Sequence, residues 1–289
     1  MGSFQKAFNL SAKRPFIIIF LAVLSFFFCL VDQYNPFFTV LFNMVGPIQE
    51  GNLNVLMTLD SVIDIIKFIF EIQNMKYILI FLLIFSLAVA VLTGLLLSGY
   101  FYVMNNVMKD LPQSKGEYLE GLKKYFYKVG FLTFKLVLLS GLFILFMMVA
   151  AVPAIASVKA IFTQNTQFSL PSILLALITL VVIFLAGIFL QASVIFWLPC
   201  IMNDVSSAFK KGKQLSDKNF WSIFPKVLIF NILLLVYGCI HIFAKYSFAA
   251  GIEASNTTDI LIFILNWVYI TFYAFMLVIY VFSAFREYQ

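Results

Sequence analysis

One histidine, three cysteines, two arginines and a charged fraction of only 11% leave this 289-residue chain little material for chemistry. A zinc site needs His, Glu or Cys ligands clustered at helical or turn spacing. His241 is the sole histidine and has no Glu or second His a helical turn away. Nucleophilic catalysis needs a Ser, Cys or Thr beside a base, and few bases exist. Phosphate-cradling Gly-rich loops and dinucleotide fingerprints are missing too. No long apolar run carries Asp or Glu near its middle. That excludes an intramembrane aspartyl pair and the buried ionisable groups on which ion-coupled carriers and proton pumps depend. The expectation is a non-enzyme with no catalytic residue, metal or cofactor. Cys29, Cys200 and Cys239 stand singly in or beside apolar runs, with neither ligand spacing nor a disulfide framework, and are read as small buried hydrophobes.

What the chain has in abundance is apolar surface. Hydrophobic residues make up 63%, phenylalanine alone accounts for 36 positions, and the mean hydropathy is +1.02. Soluble domains carry about 25% charged residues, so a soluble reading fails. Six apolar runs are predicted to span a bilayer as helices: 15–31, 77–103, 129–152, 173–202, 223–244 and 260–284. They lack the period-2 alternation of barrel strands, and a helix satisfies its own backbone in lipid. The fold class expected is all-α: a polytopic membrane helix bundle forming one transmembrane domain over 1–289. The first run follows Lys6, Lys13 and Arg14 but ends in Asp32, Gln33, Tyr34, Asn35 and Pro36 without a small-x-small site, so it is expected to remain an uncleaved span.

Positive charge orients the spans. Segments assigned inside hold Lys6, Lys13 and Arg14, then Lys109, Lys115, Lys123, Lys124 and Lys128, then Lys210, Lys211, Lys213, Lys218 and Lys226, and finally Arg286. Only Lys67, Lys76, Lys159 and Lys245 fall outside, and Lys135 lies within the third span, where it can snorkel. Fourteen cations against four put both termini in the cytoplasm. Topology accounts for the net charge of +6, so nucleic acid is not an expected partner. The expected partners are the bilayer, anionic head groups at the inner loops, and other membrane proteins. Abundant Phe and the excess of Lys over Arg are read as AT-rich coding bias, which points to the plasma membrane of a low-GC bacterium.

An internal repeat is expected. Laying 104–129 over 202–227 without a gap matches Met104/Met202, Asn105/Asn203, Val107/Val205, Lys115/Lys213, Phe126/Phe224, Lys128/Lys226 and Val129/Val227. This makes 77–152 and 173–244 two hairpins in parallel orientation. The N-terminal span and the sixth span would form a third, weaker unit. In the first inner loop, Ser114 and Glu117 fit a capping box, and Tyr118, Leu122, Tyr125 and Phe126 follow at helical spacing. A short helix on the inner leaflet is predicted there. Outside, Val55, Leu59, Val62, Ile66 and Ile69 predict an amphipathic helix near 54–71, with Asp60, Asp64, Lys67 and Glu71 on its other face.

The polar groups within spans are neutral: Gln191 and Ser193 in span four, Asn231 in span five and Asn266 in span six. Two readings stay open. Amides can bridge helices, or Gln191, Asn231 and Asn266 can converge on a midplane cavity. His241, near the outer end of span five, is read as interfacial or hydrogen-bonded rather than as a proton relay. Gly94 with Ser98, and Ala186 with Gly187, suggest close helix packing.

Between Phe196 and Val236 an apolar span ends in Ser206, Ser207, Ala208 and Phe209, turns through 211–216, and re-enters with Phe220, Trp221 and Phe224. This stretch resembles bacterial six-helix membrane proteins grouped around the membrane domain of glycerophosphoryl diester phosphodiesterases, and 104–129 resembles a second copy. The resemblance covers about a third of the chain. It implies a six-helix module sometimes joined to a lipid-head-group hydrolase domain, which is not expected here, so no catalytic residue is carried over. The function expected is a non-enzymatic permease-like or accessory module; the alternative is a transporter or channel for a small or amphipathic molecule.

Overall fold

The computed structural model describes residues 5, 8–9, 14–33, 63–64, 66–163, 170–249 and 256–289. Among these there is no strand, and six helices are long and apolar enough to cross a membrane. In chain order the helices are α1 (Pro15–Gln33), α2 (Ile72–Met108), α3 (Glu117–Thr163), α4 (Leu170–Val194), α5 (Trp197–Met202), α6 (Ala208–Lys218), α7 (Phe220–Ala249) and α8 (Asn256–Tyr288). Their apolar side chains point outward: Phe81 is 67% exposed, Val182 57% and Phe243 73%. Such contiguous exposure would aggregate a soluble protein and is what hydrocarbon accommodates. The chain is a membrane-embedded helical protein.

The breaks have local causes. Pro15 opens α1, where its missing N–H costs nothing. The fourth run divides at 195–196 into α4 and α5 because Pro199 lacks an N–H and its ring crowds the carbonyl of Ile195. At 37 residues α2 is about 55 Å long, well beyond a hydrocarbon core of about 30 Å. Its last turns run past the predicted span and carry Asn105 and Asn106, which bond to the Met202 carbonyl and to Glu117.

α2 and α5 end in the same way. Asp110 donates to the carbonyl of Val107 and Leu111 to that of Asn106; Asp204 donates to Ile201 and Val205 to Cys200. Both are Schellman caps with an aspartate in the left-handed region, at φ 59° and 51°. The caps pair Met108 with Met202, an offset of 94, whereas the burial of Tyr125 and Val129 on α3 matches that of Ile223 and Val227 on α7 at an offset of 98. The caps are thus 94 residues apart rather than 98, and the stretch from cap to helix is about four residues longer in the second connection.

That difference decides the inner connections. The predicted separate helix on the leaflet does not form in the first one: Glu117 opens α3, which runs unbroken through the third span to Thr163. In the second, α6 is a separate helix, with Gly212 and Ser216 buried and its lysines exposed. Of the outer helix expected near 54–71, only 63–64 and 66–71 lie within the described residues. There 66–70 are helical, Ile66 is buried, and Lys67 pairs with Asp64 at 3.1 Å.

The chain divides into two units, one comprising 1–35, 93–130 and 188–289, the other 36–92 and 131–187. The first holds the well-packed core: Ile17, Tyr100, Met104, Tyr125, Phe196, Met202, Ile223, Ile279 and Phe282 are all nearly or wholly buried. Within it α1 lies against α8, with Trp267 Nε1 donating to the carbonyl of Ala22 at 2.7 Å and Phe26 edge-on to Phe263. The N-terminal and last spans thus pack together. In the second unit a Cβ on Gly141 would strike Leu82, while one on Gly187 would rest 3.9 Å from Phe143, an ordinary contact. Gly187 is therefore not a site of close approach, and Gly94 is, with a built Cβ 3.0 Å from the carbonyl oxygen of Phe126.

Cys29 and Cys200 are buried as expected, but Cys239 is exposed on α7. It sits among outward-facing residues such as Ile240 and Val236, where a small apolar thiol meets lipid as readily as a methyl group does.

Candidate functional site

Each of the three span amides has a side-chain partner on another helix. On α4 and α7, Gln191 and Asn231 bond reciprocally: Nδ2 of Asn231 donates to Oε1 of Gln191 at 2.7 Å, and Nε2 of Gln191 donates back to Oδ1 at 3.2 Å. Asn231 also donates to the carbonyl of Val227 at 2.8 Å, and Ser193 donates to that of Phe189 at 2.8 Å. Asn266, buried on α8, has other partners. It accepts from the hydroxyl of Tyr237 at 3.2 Å and donates to Cys29 Sγ at 3.6 Å. Tyr237 lies six residues beyond Asn231, about 9 Å along α7. The three amides therefore do not converge.

His241 continues the second cluster. Its ring stacks on Tyr237 at 5.9 Å, and its Nε2 lies 3.8 Å from a carboxylate oxygen of Asp32, the residue that closes the apolar run of α1. Tyr237 stacks in turn on Tyr269. His241 has no acid a turn away on its own helix; the carboxylate it faces is on another helix, which spacing cannot reveal.

A network that the sequence reading missed surrounds Asp204, in the cap of α5. Its carboxylate takes Lys124 Nζ at 2.7 Å, Lys128 Nζ at 2.6 Å and the hydroxyl of Tyr125 at 2.8 Å. Both ammonium groups lie over the Tyr125 ring, at 4.9 and 5.3 Å. Asn105 and Tyr125 donate to the carbonyl of Met202, so α2 and α3 both hold the end of α5. Partial burial pushes the Asp204 carboxyl up, but the bonds from Lys124, Lys128 and Tyr125 outweigh it and hold the group well below the usual carboxylate range. A depressed folded value means stability that is full above the unfolded value of about 3.9 and lost as pH falls through the folded one. Asp204→Asn keeps a residue that tolerates the left-handed backbone. It is expected to cost at most about 1 kcal/mol, since the group is partly exposed. Thermal unfolding at pH 7 and pH 5 should show the same deficit, closing only at strongly acid pH; a deficit that vanishes by pH 5 would show the carboxylate is not held.

The remaining feature is a cleft of about 260 Å³ where α1, the end of α2 and the start of α3 meet. Arg14 and Glu117 form an ion pair on its wall at 3.2 Å, with side chains only 14% and 6% exposed. Arg14 also donates to the carbonyl of Leu111, and Glu117 accepts from Asn106 Nδ2 at 2.8 Å. Gln113 and Ser114 line the cleft, and their side chains bond to none of the described residues. Ser114 does not cap α3; Gly116 precedes the helix at φ 81°, with open space where a Cβ would stand. Phe16 and Leu119 close the apolar side and are themselves 38% and 58% exposed.

Among the described residues no group of three or more His, Cys, Asp or Glu side chains is placed to hold a metal ion. The chain matches no family model, no curated protein and no solved structure.

Proposed function

We propose that this protein is a non-enzymatic polytopic membrane module, permease-like or accessory, that acts with partner membrane proteins or with lipids. On this reading it lies in a bacterial plasma membrane with both termini in the cytoplasm, where its basic segments meet anionic head groups. The observation that carries it is the disposition of the span amides. Gln191 and Asn231 are spent on each other, and Asn266 on Tyr237 and Cys29, as expected of groups that hold helices together rather than line a path. The matching Schellman caps at Asp110 and Asp204 favour a duplicated hairpin, consistent with the resemblance of 196–236 to the six-helix membrane proteins.

The test is reconstitution. Purified protein in phospholipid vesicles should release no soluble lipid product and should leave vesicle permeability to small ions and dyes unchanged. Gln191→Leu with Asn231→Leu should lower stability by about 1 kcal/mol and leave permeability where it was. Flux that depends on these amides would replace this reading with the transporter one, and release of a head group would replace it with an enzyme.

A further inference from the structure

The cleft beside Arg14 has a chemistry that the proposed function does not specify. Its position is set by the sequence: Pro15 begins the first apolar run and Val103 ends the second, so the cleft lies where hydrocarbon gives way to head groups. Its volume falls just below the range of about 300 to 1,000 Å³ typical for whole drug-sized ligands. It suits a head group, with whatever is attached left outside. The apolar side continues onto the exposed faces of Phe16 and Leu119, an exit that a water-soluble ligand would not need.

The polar side is dipolar. Arg14 and Glu117 neutralise each other, so a bare anion drawn to the guanidinium would also meet a carboxylate, which opposes it. A zwitterion offsets that opposition by turning its cation to the carboxylate. Arg14 carries five N–H donors and spends its terminal nitrogens on Glu117 and the Leu111 carbonyl, which leaves donors for a phosphate. A carboxylate has about four lone-pair sites, enough for Glu117 to keep Arg14 and Asn106 and still accept from an ammonium. Gln113 and Ser114, without bonds among the described residues, stand at the mouth to complete the polar shell.

We propose that this cleft seats the head group of an amine-bearing zwitterionic phospholipid, its phosphate on Arg14 and its ammonium on Glu117, with the acyl chains leaving over Phe16 and Leu119. The inference rests on the reading above that the protein works with lipids, and it names their class.

The full chain, delipidated in detergent, would be titrated with phosphatidylethanolamine and with phosphatidylglycerol of identical acyl chains, and bound lipid counted by native mass spectrometry. Phosphatidylethanolamine is expected to bind about tenfold more tightly, a difference of about 1.4 kcal/mol. Arg14→Gln would abolish the preference but risks the fold. Ser114→Trp is the cleaner variant, because Ser114 lines the cleft from an exposed, non-helical segment and is not a member of the ion pair, so a bulky ring there is meant to fill the mouth while both charges are kept. It should lower phosphatidylethanolamine binding about tenfold with unchanged thermal stability. Equal or tighter binding of phosphatidylglycerol would overturn the proposal, as would a Ser114→Trp protein that binds phosphatidylethanolamine like the wild type. Binding of glycerophosphoethanolamine as tight as that of the lipid would overturn the commitment to a membrane source. Turnover of the bound lipid would instead sink the non-enzymatic reading and leave the site standing.

Discussion

Gly99→Ala is expected to destabilise the α2–α3 hairpin by about 1–3 kcal/mol, the usual cost of overpacking a close contact. A methyl group at this position would lie 2.5 Å from the carbonyl oxygen of Tyr118 and 2.6 Å from its ring. The carbonyl belongs to backbone, which cannot swing aside as a side-chain tip can, so the two helices must part. They cannot part cheaply, because the Tyr118 hydroxyl is bonded to the carbonyl of Leu96 at 2.9 Å and a Cβ on Gly121 would strike Tyr102 from the other helix. Gly187→Ala is the control. Its methyl would meet only Phe143, at 3.9 Å, and should leave stability unchanged or raise it slightly through helix propensity. Unfolding followed by tryptophan fluorescence in detergent would compare the two; equal shifts would mean that α2 and α3 do not approach as described.

The second large effect is expected at the Arg14–Glu117 pair. Glu117→Ala should cost about 3–5 kcal/mol, because it leaves a nearly buried guanidinium without its counter-ion and the Asn106 amide without its acceptor. Arg14→Met should cost a similar amount for the converse reason. Replacing both by methionine should recover most of the loss, since two desolvated charges are exchanged for two apolar chains of similar length. A double-mutant cycle reads this directly: a coupling energy near zero would show that the pair does not exist in the folded protein, whereas strong coupling ties the start of α1 to the start of α3.

Both effects arise at contacts that spacing hinted at without resolving. Gly94 and Ser98 marked α2 as a helix with a small-residue face, yet α3 comes closer at Gly99 than at Gly94, and Ser98 turns its hydroxyl back to the carbonyl of Gly94 at 2.6 Å. Ala186 and Gly187 made the same pattern in α4, where Gly187 has room to spare. Small residues permit close packing, but only the partner surface decides whether it occurs. Ser114 and Glu117 fitted a capping box by spacing, but Gly116 at φ 81° starts the helix later and frees the Glu117 carboxylate for Arg14, 103 residues away. Lys124 and Lys128 stood one helical turn apart in plain view, while their shared acceptor, Asp204, lies beyond an entire hairpin.

By itself the sequence determined that the protein lives in a bilayer, and where its six spans run, because the cost of exposing peptide groups to hydrocarbon makes a helix the form that an apolar run of about 20 residues takes there. It also marked the amides, the single histidine and the basic segments as the polar residues worth following. Only the tertiary structure decided what those residues do: that Gln191 faces Asn231, that Asn266 turns to Tyr237 and Cys29, that His241 meets Asp32, and that Arg14 and Glu117 wall a cleft. Periodicity specifies which side of one helix is polar, whereas a hydrogen bond between helices depends on their crossing, register and rotation, which are properties of the packed bundle and not of any segment within it.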